Sequence, residues 1–400
     1  MDSLKRITGL LAQLRHQKSS PKDEQLTHVV LDWINRIDEM LVNGREIMFL
    51  IGAGASTEWG LPSGDQVKNH LREITGISSE SWSEIVKFLR QDSSSLMDFL
   101  SWFNAANDSF KEILDDTEVG QAPAPTALAC LGSGTWFYTV LLRRFHSFSD
   151  HCFRYEDRRH ESEIVSDAMR RSKYGFPEDP SGKKYSINGR VNLVTTNWDT
   201  LLEQTSERIG LPTHVISNEH DLDSFRNSQT REDPYGSWPN RFLPIYKIHG
   251  TPTYWVCPKC SGASRYRRFD PTIKIKGTIL CRTHNVRLKS PSFILPTENI
   301  DNPNKAVWDD VVKLSKGIDL LVLLGYGGAD VHVVDEIVRP LSSRTVVVKP
   351  NIVTGGKLES VVDSCRILPL TAEEFTHALM DRFVGCENKS LCYHDLVTRF

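Results

Sequence analysis

Four hundred residues, 39% hydrophobic and 25% charged, are enough for one large domain with insertions or for two domains, with an ordinary globular composition. A formal net charge of −3 gives no global attraction to nucleic acid or to a membrane, so any basic surface has to be local. No apolar run approaches the roughly 20 residues that cross a bilayer, and the first residues lack the apolar core of a secretory signal. The expected compartment is therefore the cytoplasm, where the eight cysteines argue for a metal site rather than a disulfide framework.

Leu4, Ile7, Leu10, Leu11 and Leu14 fall at helical spacing, which predicts an amphipathic helix suited to packing or oligomer contact. A second helix is expected from about Glu24 to Val42, with Leu26, Val29, Val30, Trp33, Ile34, Ile37 and Leu41 on one stripe and Asn43-Gly44 closing it. Ile47 to Ile51 then make an apolar run of strand length. It breaks into Gly52-Ala53-Gly54-Ala55-Ser56 and continues through Gly60-Leu61-Pro62. Glycines at 52 and 54 permit a tight turn and a close approach, and a helix starting soon after would turn free N–H groups toward a phosphate. The third glycine misses the G-x-G-x-x-G spacing, so the stretch alone equally fits an ordinary strand-to-helix turn.

From Gln66 to Leu114 the pattern is helical and amphipathic, and Pro123-Ala124-Pro125 ends the block. Residues 126–185 read as further helices and a loop, rich in arginine and aromatics but diluted by Glu156, Asp157, Glu161 and Glu163. A second strand, Val191 to Thr196, runs into Asn197-Trp198-Asp199 and a helix from Leu201. Residues 217–241 are polar and read as a long loop. A third strand, Ile245 to Ile248, ends at His249-Gly250, and a cysteine-bearing insert follows at about 255–290. A helix near Lys305–Lys316 leads to a fourth strand, Asp319 to Leu324, which ends in Gly325-Tyr326-Gly327-Gly328-Ala329-Asp330. A fifth, Thr345 to Lys349, turns at Pro350-Asn351.

Strands alternating with helices predict an α/β fold, a parallel sheet with helices on both faces. In such sheets ligands collect at the carboxyl ends of the strands. That rule gathers Gly52–Ser56, Thr195–Asp199, His249-Gly250 and Gly325–Asp330 around one crevice.

Within the insert, Cys257-Pro258-Lys259-Cys260 is followed after twenty residues by Cys281-Arg282-Thr283-His284. Three thiolates and an imidazole suit a closed tetrahedral zinc site, structural because it leaves no open position. Arg265, Arg267, Arg268, Lys274, Lys276, Arg287 and Lys289 crowd the same insert. They read either as a solvated ribbon or as a surface for an anionic partner such as nucleic acid. Cys386, Cys392 and His394 lack a fourth partner and read as incidental.

GAGAS followed by GLP at 52–62, TTNWDTLLE at 195–203, IHG at 248–250 and LLGYGGAD at 323–330 resemble the sirtuin-like (silent-information-regulator) superfamily, in the family's order. The resemblance covers most of 45–355 and implies a Rossmann-like sheet with a helical insertion and a small zinc-ribbon insertion. It also implies binding of NAD and cleavage of its nicotinamide–ribose bond. Asn197 would orient a water or a ribose hydroxyl, Asp199 would hold the nicotinamide end or the loop, and His249 would be the general base. Gly52, Ala53, Gly54 and Ser56 would cradle the pyrophosphate, and Gly325, Gly327 and Asn351 would line the adenosine side. Pro62, Thr195 and Thr196 complete the expected cofactor-binding set. The family's zinc ribbon carries four cysteines, so His284 is a departure.

Two further departures bear on the acceptor. The deacylases of this family carry Phe-Gly-Glu after the ribbon and Phe-Arg after the Gly-Leu-Pro; residues 290–310 and Gly60-Leu61-Pro62-Ser63-Gly64 carry neither. Together with TTNWD, these details look like the antiphage-defence branch, whose members hydrolyse NAD to ADP-ribose and nicotinamide. The expected function is a gated NAD hydrolase, a homo-oligomer that pairs with a hexameric helicase-like ATPase and answers to a phage or nucleic-acid trigger. A lysine deacylase and a nucleic-acid-binding or nuclease subunit stand as alternatives. The expected layout is N-terminal helices over 1–44, a catalytic domain over 45–355 with insertions at about 66–190 and 255–290, and a helical segment over 356–400.

Overall fold

A strand buried on both faces has no polar side to alternate with, and the apolar runs at 47–51, 320–324 and 345–348 have that character. All three are strands in the structure, a computed structural model. It describes residues 45–57, 61–77, 82–92, 94–103, 190–203, 213–230, 243–268, 279–294, 304–350, 356–363 and 366–372, with isolated positions between 28 and 40 and at 375. The chain divides into two compact units. One comprises Met48–Asp115 and Asn192–Ala372; the other comprises Met1–Ile47, Asp116–Val191 and Glu373–Phe400. In the latter, residues 35–37 are helical, and Trp33 and Ile37 are buried as the stripe requires, whereas Val29 is exposed. Asn351, residues 126–185 and the Cys386–His394 group lie outside the described residues.

The main sheet has seven strands: β1 (Glu46–Ile51), β2 (Arg190–Thr195), β3 (Thr213–Ile216), β4 (Leu243–Lys247), β8 (Leu320–Leu324), β9 (Thr345–Val348) and β10 (Ile367–Leu368). Their order is β10-β9-β8-β1-β2-β4-β3, and the β2–β4, β3–β4, β8–β9 and β9–β10 pairs are parallel. From β1 the chain builds outward on one side through β2, β4 and β3. It then crosses back and builds outward on the other side through β8, β9 and β10. The order therefore reverses between β1 and β8, which is where open α/β sheets hold their ligands.

The sheet borrows two strands that patterning did not reveal, β3 and β10; the latter carries the fold past residue 355 into the stretch expected to be helical. Residues 217–241, expected as a loop, contain the helix Glu219–Thr230. Its start is held locally. Asn218 Oδ1 accepts from Asp221 N at 3.0 Å, and Ser217 Oγ donates to Asp221 Oδ2 at 2.7 Å. Only Leu222 and Phe225 then reach the core, so the helix looks polar in sequence.

A second layer forms around the cysteine insert. Strands β5 (Gly250–Val256), β6 (Tyr266–Arg268) and β7 (Lys289–Phe293) make an antiparallel sheet in the order β6-β5-β7. The helices Gly64–Thr75 and Trp82–Gln91 and the helical residues 94–103 share a core with it: Leu71, Ile85, Leu89, Phe99 and Leu100 pack with Trp255, Cys257, Cys281 and Phe293. Ser63 opens the first of these helices with a capping box. Its hydroxyl accepts from Gln66 N, and its N–H donates to Gln66 Oε1 at 2.7 Å.

The glycines of the β1 and β8 tips face each other. A Cβ on Gly52 would stand 2.6 Å from Tyr326 Cα, and one on Gly54 would stand 2.7 Å from Gly325 O. Gly325 has φ +59, and a Cβ on it would lie 2.2 Å from Ala55 N. The left-handed backbone alone costs a non-glycine residue about 1–2 kcal/mol, and here the obstacle is main chain, which cannot swing away. Gly325→Ala is expected to cost more than this figure and to separate the two loops, read as a loss of stability in thermal unfolding.

Candidate functional site

The hydrogen bonds of a parallel ladder run one residue past the strands here and tie their tips into a row. Gly325 N donates to Val348 O at 3.0 Å, Gly52 N to Leu324 O at 2.9 Å, Thr196 N to Ile51 O at 3.1 Å and Ile248 N to Thr195 O at 3.1 Å. Thr195 and Lys247 are register partners on β2 and β4. Asn197 and His249 each follow two residues later, so they occupy equivalent places on adjacent strands, just beyond that row.

Three buried polar side chains fix the β1 and β2 tips to each other. Asn197 Nδ2 donates to Gly52 O at 3.1 Å and to Ser56 Oγ at 3.0 Å, and Ser56 Oγ donates to Asp199 Oδ2 at 2.9 Å. Asp199 Oδ1 accepts from Leu201 N at 3.2 Å, which opens the next helical turn. Thr195 Oγ1 donates to Ile51 O and accepts from Asn197 N, both close to 3 Å. Burial holds the Asp199 carboxyl above its ordinary range, opposed by the charge of Lys247. With both amide hydrogens of Asn197 engaged, Oδ1 is left as a buried acceptor with no hydrogen-bond partner among the described residues. Such an orphan calls for a donor from a ligand or water.

The loop from Asn197 to Asp199 is held from below by Lys247, which is fully buried. Its Nζ donates to the Asp199 and Trp198 carbonyls and pairs with Glu203 Oε1 at 2.6 Å. Trp198 points the other way, edge-on to Phe293 at 5.3 Å, Phe103 at 5.9 Å and Phe99 at 6.0 Å. Lys247→Met removes the fully buried member of the Lys247–Glu203 pair and its two carbonyl contacts, and is expected to lower stability by up to about 3–5 kcal/mol. Chemical denaturation should show that loss, with partial recovery when Glu203→Gln is added.

His249 is 8% exposed. Its carbonyl accepts from Ile294 N at 2.8 Å, and its Nε2 lies 3.4 Å from His332 Nε2 and 3.8 Å from Asp330 Oδ1. Burial first, and then the neighbouring His332, hold the imidazole below its ordinary titration range, against the pull of Asp330. It is therefore neutral at physiological pH, the state a base requires.

The phosphate-cradle expectation meets a different geometry at the glycine turn. Among the described residues there, Gly54–Thr57 are helical. The N–H groups of Gly54, Ala55 and Ser56 bond inward to Gly325 O, Gly52 O and Ala53 O. The missing Cβ atoms of Gly52 and Gly54 thus serve loop-to-loop packing, and the Ser56 hydroxyl serves Asn197 and Asp199. Ala53 and Gly54 are exposed, as is Gly327, whose surroundings are open. Pro62 stands half-buried next to the Ser63 cap. The sequence assigns no role to His332 or Lys247, and it places Asp330 at the crevice only as the end of the Gly325–Asp330 stretch.

The second centre is a cluster of Cys257, Cys260, Cys281 and His284, whose ligand atoms all lie within 4.8 Å of one another. Cys260 Sγ is 3.7 Å from Cys281 Sγ and 3.2 Å from His284 Nδ1. Ligands at about 2.0–2.3 Å from a tetrahedral zinc stand at such separations. Backbone N–H groups of His284 and Thr283 draw the Cys281 thiol down to about 5, while burial and the adjacent sulfurs push Cys260 up to about 11. Crowded thiols of this kind ionise together only around a cation, so the set fits structural zinc. Asn285, with φ 50, closes the knuckle by donating to Cys281 O.

Part of the insert's positive charge is committed within the fold. Arg265 pairs with Glu219 at 3.6 Å, and Arg267 donates to Thr283 Oγ1 at 3.4 Å. A cleft of about 340 Å³ is lined by Arg90, Trp255, Arg287 and Lys289 among others, and by none of the strand-tip residues. No helix among the described residues is long and apolar enough to cross a membrane.

No family model matches the chain, and no curated protein matches it. It is similar to a complex of a Sir2 homologue mutant with ADP-ribose, at 13% identity and a TM-score of 0.46, over 89% of this chain and 99% of that one. It is similar also to a Sir2 homologue–NAD complex, at 12% identity and a TM-score of 0.46, over 88% and 95% of the two chains. A third similar structure is Sir2Tm bound to a propionylated peptide, at 12% identity and a TM-score of 0.43, over 88% and 99%.

Proposed function

We propose that this chain binds NAD at the strand tips and hydrolyses its nicotinamide–ribose bond to ADP-ribose and nicotinamide. One observation carries the reading: Asn197 and His249 occupy equivalent places on the adjacent strands β2 and β4, and Asn197 Nδ2 donates to Gly52 O at the tip of β1, one of the two strands between which the order reverses. The four sequence stretches that resemble the sirtuin-like superfamily meet at that edge, which supports a dinucleotide as the ligand. Breaking the bond builds oxocarbenium character on the ribose carbon, so the site has to hold water in line and exclude stray solvent. Asn197 Oδ1, which has no partner among the described residues, is suited to accept from a ribose hydroxyl or that water, and neutral His249 is suited to take the water's proton. Absence of the deacylase segments Phe-Gly-Glu and Phe-Arg favours water over acyl-lysine as acceptor.

An enzyme that drains NAD has to be gated, so the reading extends to a cytoplasmic antiphage role. There the chain is an oligomer paired with a helicase-like ATPase and opened by a phage or nucleic-acid signal. The deciding experiment incubates the purified chain at high concentration with NAD, with and without acetylated peptide or DNA, and follows nicotinamide. Release without peptide, lost in Asn197→Ala, supports the hydrolase. Peptide-dependent release makes it a deacylase, and DNA cleavage that survives Asn197→Ala makes it a nuclease subunit.

A further inference from the structure

We propose that the cleft beside the cysteine ribbon is a nucleotide site, where Arg90, Arg287 and Lys289 hold a phosphate and the bound nucleotide is the signal that opens the strand tips. The gating rests on the hydrolase reading; the binding does not. The cleft follows from how the ribbon is strung. Arg287 bridges to Leu280, and Lys289 opens β7. Between them Leu288 is buried, its N–H donating to Ile279 O at 2.8 Å. Residues two apart on an extended chain share a face, so both cations emerge together and are exposed while Leu288 turns to the core. Arg90, in the last turn of the helix Trp82–Gln91, brings the third charge to the same cleft.

Three features select the ligand. No acid is found among the described residues that line the cleft, and a cleft lined by one sign of charge concentrates ions of the other. Two of the three cations are guanidinium groups, whose planar fork matches phosphate oxygens. Leu96, Trp255 and Leu288 make the rest of the wall apolar, and the volume of about 340 Å³ stands at the low end of small-molecule sites, about 300–1,000 Å³. A phosphate joined to one flat base meets all three; a carboxylate side chain would leave the apolar wall uncovered. A free nucleotide and a single strand of nucleic acid both offer that group. The cleft is two contacts away from the strand tips. Arg90 Nη2 donates to Phe293 O at 2.8 Å, and its guanidinium lies 5.0 Å over the Phe293 ring. Phe293 in turn meets Trp198 edge-on at 5.3 Å. A ligand that draws on Arg90 therefore pulls on the ring against which the loop from Asn197 to Asp199 is packed.

The test uses the full chain and the double variant Arg287→Glu, Lys289→Glu, with Arg287→Gln, Lys289→Gln should the first not fold. Binding of a short labelled oligothymidine is read by fluorescence anisotropy, with AMP, ATP, inorganic phosphate and an acidic peptide as competitors. The strand is expected to bind with a log–log salt slope of about −2, from about 0.7 per phosphate contact, and about tenfold or more weakly in the double variant. Competition by AMP or ATP assigns the site to free nucleotides, and binding of the strand without such competition assigns it to nucleic acid. No binding of either, equal binding by the variant, or competition by inorganic phosphate or acidic peptide as strong as that by nucleotides overturns the site. Saturating ligand is expected to raise nicotinamide release about fivefold or more, the low end of coupling between sites, in the wild-type chain and not in the variant, whose rate without ligand is unchanged. Binding that leaves release unaltered overturns the gating. If the wild-type chain releases no nicotinamide under any condition, the hydrolase reading and the gating fall together, while the anisotropy alone decides the site.

Discussion

Replacing His249 with alanine will slow nicotinamide release by about 10²–10⁴-fold, the range of a lost general base, while NAD binding changes little. The wild-type pH profile carries the sharper prediction. A base works in its neutral form, so the rate falls when pH drops through the folded pKa. For His249 that value lies below the ordinary 6.5, because burial and His332 outweigh the attraction of Asp330. The rate is therefore expected to stay level from pH 8 past 6.5 and to decline only in more acid solution. In His249→Ala this acid limb disappears and the residual rate becomes flat. A wild-type limb centred above 6.5 would mean that Asp330 dominates, or that another group is the base. kcat/KM measured from pH 5 to 8.5 decides it.

The strand tips could be read from the sequence because each apolar run ends in a residue type that a buried strand does not tolerate: Gly52, Asn197, His249 and Gly325. Their convergence then follows from the parallel sheet, which puts every carboxyl end on one edge. What those residues touch could not be read. Gly52 and Gly54 look like phosphate-loop glycines, but the same lack of a Cβ is what the Gly325 loop demands of them. Ser56 looks like a ligand hydroxyl, yet its two neighbours, Asn197 and Asp199, come from another strand. Lys247 interrupts a buried strand and is explained only by Glu203 and two carbonyls meeting it in three dimensions. His332 meets His249 across 83 residues of sequence, and no local pattern pairs them. The helix Glu219–Thr230 was missed for a simpler reason: two apolar contacts in twelve residues leave almost no periodic signal, although the Ser217-Asn218 start was visible.

Chelating the metal is expected to unfold the ribbon and to loosen the helices packed on it. Cys257 and Cys281 are buried in the same core as Leu71, Leu89, Phe99 and Phe293, so the metal site and the helical layer cannot fail separately. A structural zinc contributes about 10–16 kcal/mol to folding in isolated fingers, comparable to the whole stability of a domain, about 5–15 kcal/mol. About half of it already matches or exceeds the loss expected for Lys247→Met. The Cys281→Ser variant is expected to purify with less than one equivalent of zinc by metal analysis and to melt in two steps, the ribbon and its helices before the main sheet. Because Trp198 packs against Phe99, Phe103 and Phe293, that early step also frees the loop between Asn197 and Asp199. Zinc loss should therefore abolish NAD turnover although no ligand of the metal reaches the strand tips. Full turnover in a zinc-free chain would show that the tips hold their geometry without the aromatic clamp, and the role given to Trp198 would fall.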